Sequence, residues 1–382
     1  MSEKSVKLKT INKNVEEALN KTNERIECLG EYSGELSDRL GDIQKCFDEI
    51  RNIPSETEIE YERIKKIRIE WKQQVEKIEG DYKAAVAKDI GGGAAGAMAG
   101  VGVMAFGPTA AMGIATTFGV ASTGTAISTL SGAAATNAAL AWLGGGALAT
   151  GGGGMAGGNA LLALAGPVGW AIAGVALLTS GVLFWKNRKN KKRLDRVFSL
   201  IGERDIKKYD LATVELNERI ERIKEENGLL KDAIEEIRGF GLDYSNMTEE
   251  QQYKLGAYVN LMSSSTQLLV KPILGLQPKY LEEDYNFVVD DEALDPKVRE
   301  MIKRIVIWLA NLLYKIDLDD TDKKLLSKSF RKNRKLRKQL EVEKFVFSIE
   351  LMNLVEQALE CKYGDQEKIE SKTLKLVGKL QE

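Results

Sequence analysis

Residues 90–185 of this 382-residue chain contain no Asp, Glu, Lys or Arg. All 55 Lys and Arg and all 56 Asp and Glu lie on either side of that block. A water-exposed fold needs polar side chains at short intervals, so 96 uncharged residues in succession point to a lipid environment. The block also holds 24 of the 36 glycines. Large apolar residues (Met98, Val101, Met104, Phe106, Phe118) are spread among the glycines and alanines, which separates the block from a flexible Gly/Ser linker.

Within the block, Gly92, Gly96 and Gly100 fall on one helix face. Glycines at this spacing let two helix backbones approach closely, a pairing device used in lipid. The runs Gly144-Gly145-Gly146 and Gly151 to Gly154 mark breaks or turns. Residues 160–185 form the most apolar part, with Leu161, Leu162, Leu164, Trp170, Leu177, Leu178 and Trp185. Their 26 positions exceed the ~20 that a spanning helix requires. A basic collar follows at once: Lys186, Arg188, Lys189, Lys191, Lys192 and Arg193. Cations at the end of an apolar segment suit anionic lipid headgroups on the cytoplasmic side.

The flanks read as long helices. Val15, Leu19, Thr22, Ile26, Leu29, Ser33, Leu36, Leu40, Ile43, Phe47 and Ile50 alternate at spacings of four and three, the heptad pattern of a coiled-coil seam. Pro54 ends this helix, and Ser55 with Glu58 forms an S-x-x-E signal for the start of a second one. After the block, Ile206, Tyr209, Thr213, Leu216, Ile220, Ile223, Asn227, Leu230, Ile234 and Ile237 repeat the heptad spacing, with Gly239 and Gly241 as its end. Asn227 puts a polar group on the seam, where it can fix register. The second and third long helices enter and leave the block, so they are expected side by side as a stalk.

These features predict an all-α fold: an elongated long-helix bundle with a Gly/Ala-rich hydrophobic helical insert and a C-terminal helical region. The expected divisions are a helical hairpin over residues 1–89, the insert over 90–185, a coiled-coil helix over 186–241 that packs on the first, and a helical domain over 242–382. In the last of these, Thr248 and Gln251 signal a helix start, as do Asp295 and Pro296. Residues 317–322 are rich in Asp, but position six of a calcium loop would be Asp322 rather than Gly, so the acids read as helix-start residues. Seven cations follow, from Lys328 to Lys338.

The residue inventory excludes several chemistries. There is no His, which removes Ser-His-Asp and Cys-His catalysis and His-ligated metals. Cys28, Cys46 and Cys361 are too far apart for a CxxC motif and odd in number, which suits a reducing compartment. The only Gly-Lys pair, Gly378-Lys379, belongs to no P-loop. No enzyme, metal or cofactor is expected. A net charge of −1 speaks against bulk nucleic-acid binding. No apolar run follows the first residues, so the reading is synthesis in the cytoplasm without a signal peptide and action at the inner, cytoplasmic membrane.

The heptad helices on both sides of the uncharged block resemble the architecture of helical pore-forming toxins of the cytolysin A and haemolysin BL type. Its glycine content is also similar to that of toxins that depolarise membranes. The resemblance covers roughly Val15 to Ile237 and rests on no diagnostic motif. It implies a membrane-permeabilising protein that oligomerises through its helices, as a toxin, cell-death or phage-defence effector, with an anionic bilayer as partner. The alternative is a membrane-anchored scaffold whose C-terminal domain recruits a protein partner.

Overall fold

The computed structural model describes residues 3–90, 188–271, 273–276, 279–280, 284–286, 295–339 and 342–364. The fold is all-α. Three long helices, α1 (Glu3–Asp48), α2 (Ser55–Ile90) and α3 (Arg188–Ile237), precede α4 (Glu249–Val270), α5 (Pro296–Leu313), α6 (Asp320–Lys332), α7 (Arg334–Gln339) and α8 (Ile349–Tyr363). Residues 91–187, which hold nearly all of the uncharged block, lie outside the described residues.

The heptad seams are buried stripes. Val15, Thr22, Leu29, Leu36, Leu40, Ile43 and Phe47 on α1 are buried, as are Tyr209, Thr213, Leu216, Ile220, Ile223, Asn227, Leu230, Ile234 and Ile237 on α3. The two stripes face one another along most of both helices. The pairing is parallel and in register. Thr22 meets Thr213 with their hydroxyls 3.0 Å apart, and the Asn227 side-chain amide reaches the Tyr32 carbonyl at 3.5 Å. At the far end, Arg51 and Asp243 form a short parallel bridge. There the Arg51 amide donates to the Leu242 carbonyl (2.9 Å) and the Tyr244 amide to the Arg51 carbonyl (2.9 Å).

The stalk expected from α2 and α3 therefore takes a different form: the long partner of α3 is α1. α2 instead packs on α4 and touches the C-terminal end of α1 through Tyr61. Tyr61 stacks on Phe47 at 5.3 Å, and its hydroxyl donates to the Asp48 carboxylate at 2.6 Å. A heptad stripe shows that a helix buries one face; it does not say which helix covers it. α4 runs back antiparallel along α3. Its first half is tied by Lys254 to Glu236 (2.5 Å), and Arg219 donates to the carbonyls of Leu268 and Lys271 at its end. Capping by an Arg satisfies carbonyls that have no intrahelical partner.

Helix boundaries mostly follow local chemistry. Thr248 and Gln251 form a reciprocal capping box for α4, as the T-x-x-Q spacing predicts. Gly239 and Gly241 follow the end of α3, and Gly241 adopts φ +87°, where a side chain would be strained. Ser55 is the first helical residue of α2 rather than its cap. The Pro54 carbonyl accepts from the Glu58 amide (3.0 Å) and starts the ladder one residue earlier.

A second buried cluster sits at the other end of the α1/α3 pair. Leu8 and the first turns of α3 (Leu194, Val197, Phe198, Ile201) pack with Tyr280, Tyr285 and the inner faces of α5, α6 and α8. Phe330 is at its centre, edge-on to Trp308 (5.8 Å) and against Phe347 (5.4 Å). α3 therefore runs through both cores.

Candidate functional site at the resumption of the charged chain

α3 begins the described chain after the uncharged block, so its first turns are the part of the body adjoining that segment. Their sequence is amphipathic in a specific way. Leu194, Val197, Phe198 and Ile201 are buried at spacings of three and four, whereas Lys189, Lys191, Lys192 and Arg196 are exposed. The apolar side is held by the C-terminal core, which leaves the cationic side facing water.

Arg193 lies at the boundary between the two sides. Its Nε donates to Asp322 Oδ1 at 2.8 Å, and its Nη2 donates to Asp319. Arg196 stands 3.5 Å from the second oxygen of Asp322. Asp322 is 1% exposed, so this carboxylate depends on the two guanidinium groups to offset its desolvation. Asp319 also serves as the N-cap of α6, accepting from the Asp322 amide at 2.9 Å. That backbone hydrogen bond, together with Arg193, holds the Asp319 carboxyl below its usual range. The result is a clasp: one guanidinium joins the start of α3 to the start of α6. One turn further along α6, buried Lys323 is balanced by Glu356 of α8 at 2.6 Å and by Asp320 at 3.4 Å. Desolvation lowers the Lys323 pKa, but Glu356 and Asp320 outweigh it and the net shift is upward.

Asp195 is a second buried carboxylate here, and burial raises its pKa against the pull of Lys191. A further arginine on α3 braces the same region. Arg204 donates to the carbonyls of Leu312 (3.0 Å) and Tyr314 (2.6 Å) at the end of α5 and pairs with Asp205 at 2.7 Å.

Of the residues singled out from the sequence, Gly92, Gly96, Gly100, Leu161, Leu162, Leu164, Trp170, Leu177, Leu178, Trp185 and Lys186 lie outside the described residues. Arg188 opens α3. Lys189, Lys191 and Lys192 share its exposed side, and Arg193 is committed to carboxylates. The acidic stretch was legible as helix-start residues. Its pairing with Arg193, 129 positions away, was not, because no local spacing signals it.

No described helix is long and apolar enough to cross a membrane. Among the described residues, no group of His, Cys, Asp and Glu is placed to hold a metal ion. No known protein family matches the chain, and no curated protein or solved structure does either.

Proposed function

We propose that this protein inserts residues 90–185 into a bilayer and permeabilises it, acting as several copies associated through their helices and without enzymatic chemistry. The observation that carries this reading is the partition of charge: 96 uncharged residues inside a chain dense in Lys, Arg, Asp and Glu. The body supports it by geometry. α2 starts at the turn end of the bundle and is antiparallel to α1 where the two touch, Tyr61 meeting Asp48 and Arg68 approaching Gly41, so it heads toward the end at which α3 begins. Both flanks of the insert then emerge on one side of the membrane, which demands an even number of crossings. The exposed cations of α3 adjoin that side, where anionic headgroups attract each by on the order of 1 kcal/mol. With the charge rule for membrane topology, the body lies on the cytoplasmic face of the inner membrane.

A second reading makes the insert a permanent anchor and the body a scaffold for a protein partner. The Arg193–Asp319/Asp322 clasp favours it, since a rigid tie between α3 and the C-terminal core suits a fixed platform. Purification without detergent, followed by dye release from anionic liposomes, separates the two. A soluble species that releases dye, and loses release when Gly96 and Gly100 are both replaced by Ile, is expected. Protein extracted only by detergent and inert toward liposomes would replace the pore with the scaffold.

A further inference from the structure

A cavity of about 520 Å³ opens between α3, the end of α5 and the 3-10 turn Leu274–Leu276, away from the Arg193 clasp. Its lining carries five cations (Arg204, Lys207, Lys208, Lys279 and Lys315) against two carboxylates, Glu203 and Asp205. Arg204 and Asp205 neutralise one another at 2.7 Å. Lys207, Lys279 and Lys315 have no carboxylate partner among the described residues. The Lys279 ammonium reaches the Leu274 carbonyl (3.4 Å), and Lys315 Nζ stands 5.4 Å from the centre of the Tyr314 ring.

The described lining thus carries more cations than carboxylates, and walls of low dielectric strengthen the repulsion between like charges. Burial brings the Lys208 pKa down to about 8; Asp205 opposes the shift, and Lys279 and Arg204 add a smaller push in the same direction. Lys315 is held at φ +58°, a backbone conformation that L-residues rarely adopt. The remaining wall is apolar: Leu200 and Leu211 from α3 are 38% and 68% exposed, and Tyr314 joins them. The volume falls within the ~300–1,000 Å³ of small-molecule sites.

We propose that this cavity binds a phosphate ester, with the phosphate among Lys207, Lys279 and Lys315 and the organic group against Leu200, Leu211 and Tyr314. A phosphate dianion matches the excess positive charge, and ammonium groups bind phosphate as point charges with no demand for planar geometry. The apolar wall makes an ester a better fit than inorganic phosphate. The site is independent of the insert, so the proposal stands or falls separately from membrane permeabilisation.

The phosphate can be that of a soluble ester or of a lipid headgroup, and titration calorimetry with phenyl phosphate alongside flotation on phosphatidic-acid vesicles distinguishes them. The double variant Lys207→Gln/Lys279→Gln is compared with the full-length parent and with Lys224→Gln/Lys231→Gln on the exposed side of α3. Loss of two charge-assisted contacts weakens phenyl phosphate binding by about tenfold or more in the cavity variant and leaves the α3-surface variant unchanged. Phenyl phosphate also binds the parent more tightly than inorganic phosphate. Vesicle binding that falls in the cavity variant, without phenyl phosphate binding in the parent, assigns the site to a headgroup. Equal behaviour of parent and cavity variant in both measurements overturns the proposal.

Discussion

The α1/α3 seam and the C-terminal core bury their side chains by different rules. Along the seam, aliphatic residues recur every three or four positions on two parallel helices, and each layer resembles the next. In the C-terminal core, Leu8, Phe198, Tyr280, Trp308, Phe330, Phe347 and Met352 come from separate segments and meet once. A repeating seam can slide by a heptad and still bury its stripe, so it needs polar markers. Thr22 with Thr213, and Asn227 with the Tyr32 carbonyl, supply them at two levels. The aromatic core has no repeat to slip along, and its irregular shape, with ties such as Arg193 to Asp322, fixes it.

The largest expected effect tests whether the two cores are separable. Phe330→Ala removes a buried ring from two aromatic contacts, at a cost of about 3–5 kcal/mol. Hydrogen exchange read by mass spectrometry is expected to show faster exchange in α5, α6 and α8, with protection retained around Leu36 to Phe47 of α1. Equal loss of protection in both would make the molecule one cooperative unit.

A smaller contrast lies between the Leu274–Leu276 turn, which approaches α3, and the middle of α4. A Cβ on Gly275 would sit 2.9 Å from Ala212 Cα, and backbone cannot yield as a side-chain tip can. Gly275→Ala should therefore destabilise by about 1–3 kcal/mol. Gly256, inside α4, has nothing within 4 Å of its Cβ position, so Gly256→Ala should stabilise by about 0.5–1 kcal/mol. Denaturation midpoints that move in the same direction would show that close approach is not what keeps Gly275.

Asn227→Leu sharpens the account of the seam markers. The Asn227 Oδ1 is buried without a hydrogen-bond partner, so the substitution is expected to leave stability unchanged or raise it by up to about 1 kcal/mol. The expected cost is uniqueness. Spin labels at Glu31 and Glu225 should give one distance distribution in the parent and a second population in the variant. A single unchanged distance would assign register to the Thr22–Thr213 layer alone.

The smallest effect concerns Asp48, where α2 crosses the end of α1. Burial raises its pKa, but hydrogen bonds from Lys65, Tyr61 and Gln44 outweigh that and leave it lowered from 3.8. A depressed carboxyl stabilises the fold above its unfolded value and loses that contribution as pH falls through the folded one. The pair is partly exposed, so the contribution is at most about 1 kcal/mol. The stability difference between parent and Asp48→Asn should be steady above about pH 5 and vanish below 3.8. A difference that grows on acidification would reverse the assignment.

The same contrast sets what the sequence could disclose. Ten heptad positions on α3 were legible, and all but half-buried Ile206 are covered, because periodicity is a local property. Asp295, Thr248 and the Gly239–Gly241 stop were legible for the same reason. The choice of α1 rather than α2 as the partner of α3 was not, since the stripes are of one chemical type. Tyr280 gave no periodic signal at all, although it is fully buried. At the candidate site, the cationic character of α3 was readable from composition. The commitment of Arg193 to Asp319 and Asp322 depends on how two distant segments fold together.

The parallel register also has a consequence for how the chain is made. Thr22 and Thr213 are separated by 191 positions, all of which must be translated before the two can meet. At roughly 5–20 residues per second, α1 waits on the order of 10–40 s for its partner. Over that interval its apolar stripe is open on the nascent chain, and the uncharged block emerges from the ribosome before α3 does. The order of synthesis thus presents the most apolar part of the protein to the cell before the helix that completes the bundle exists.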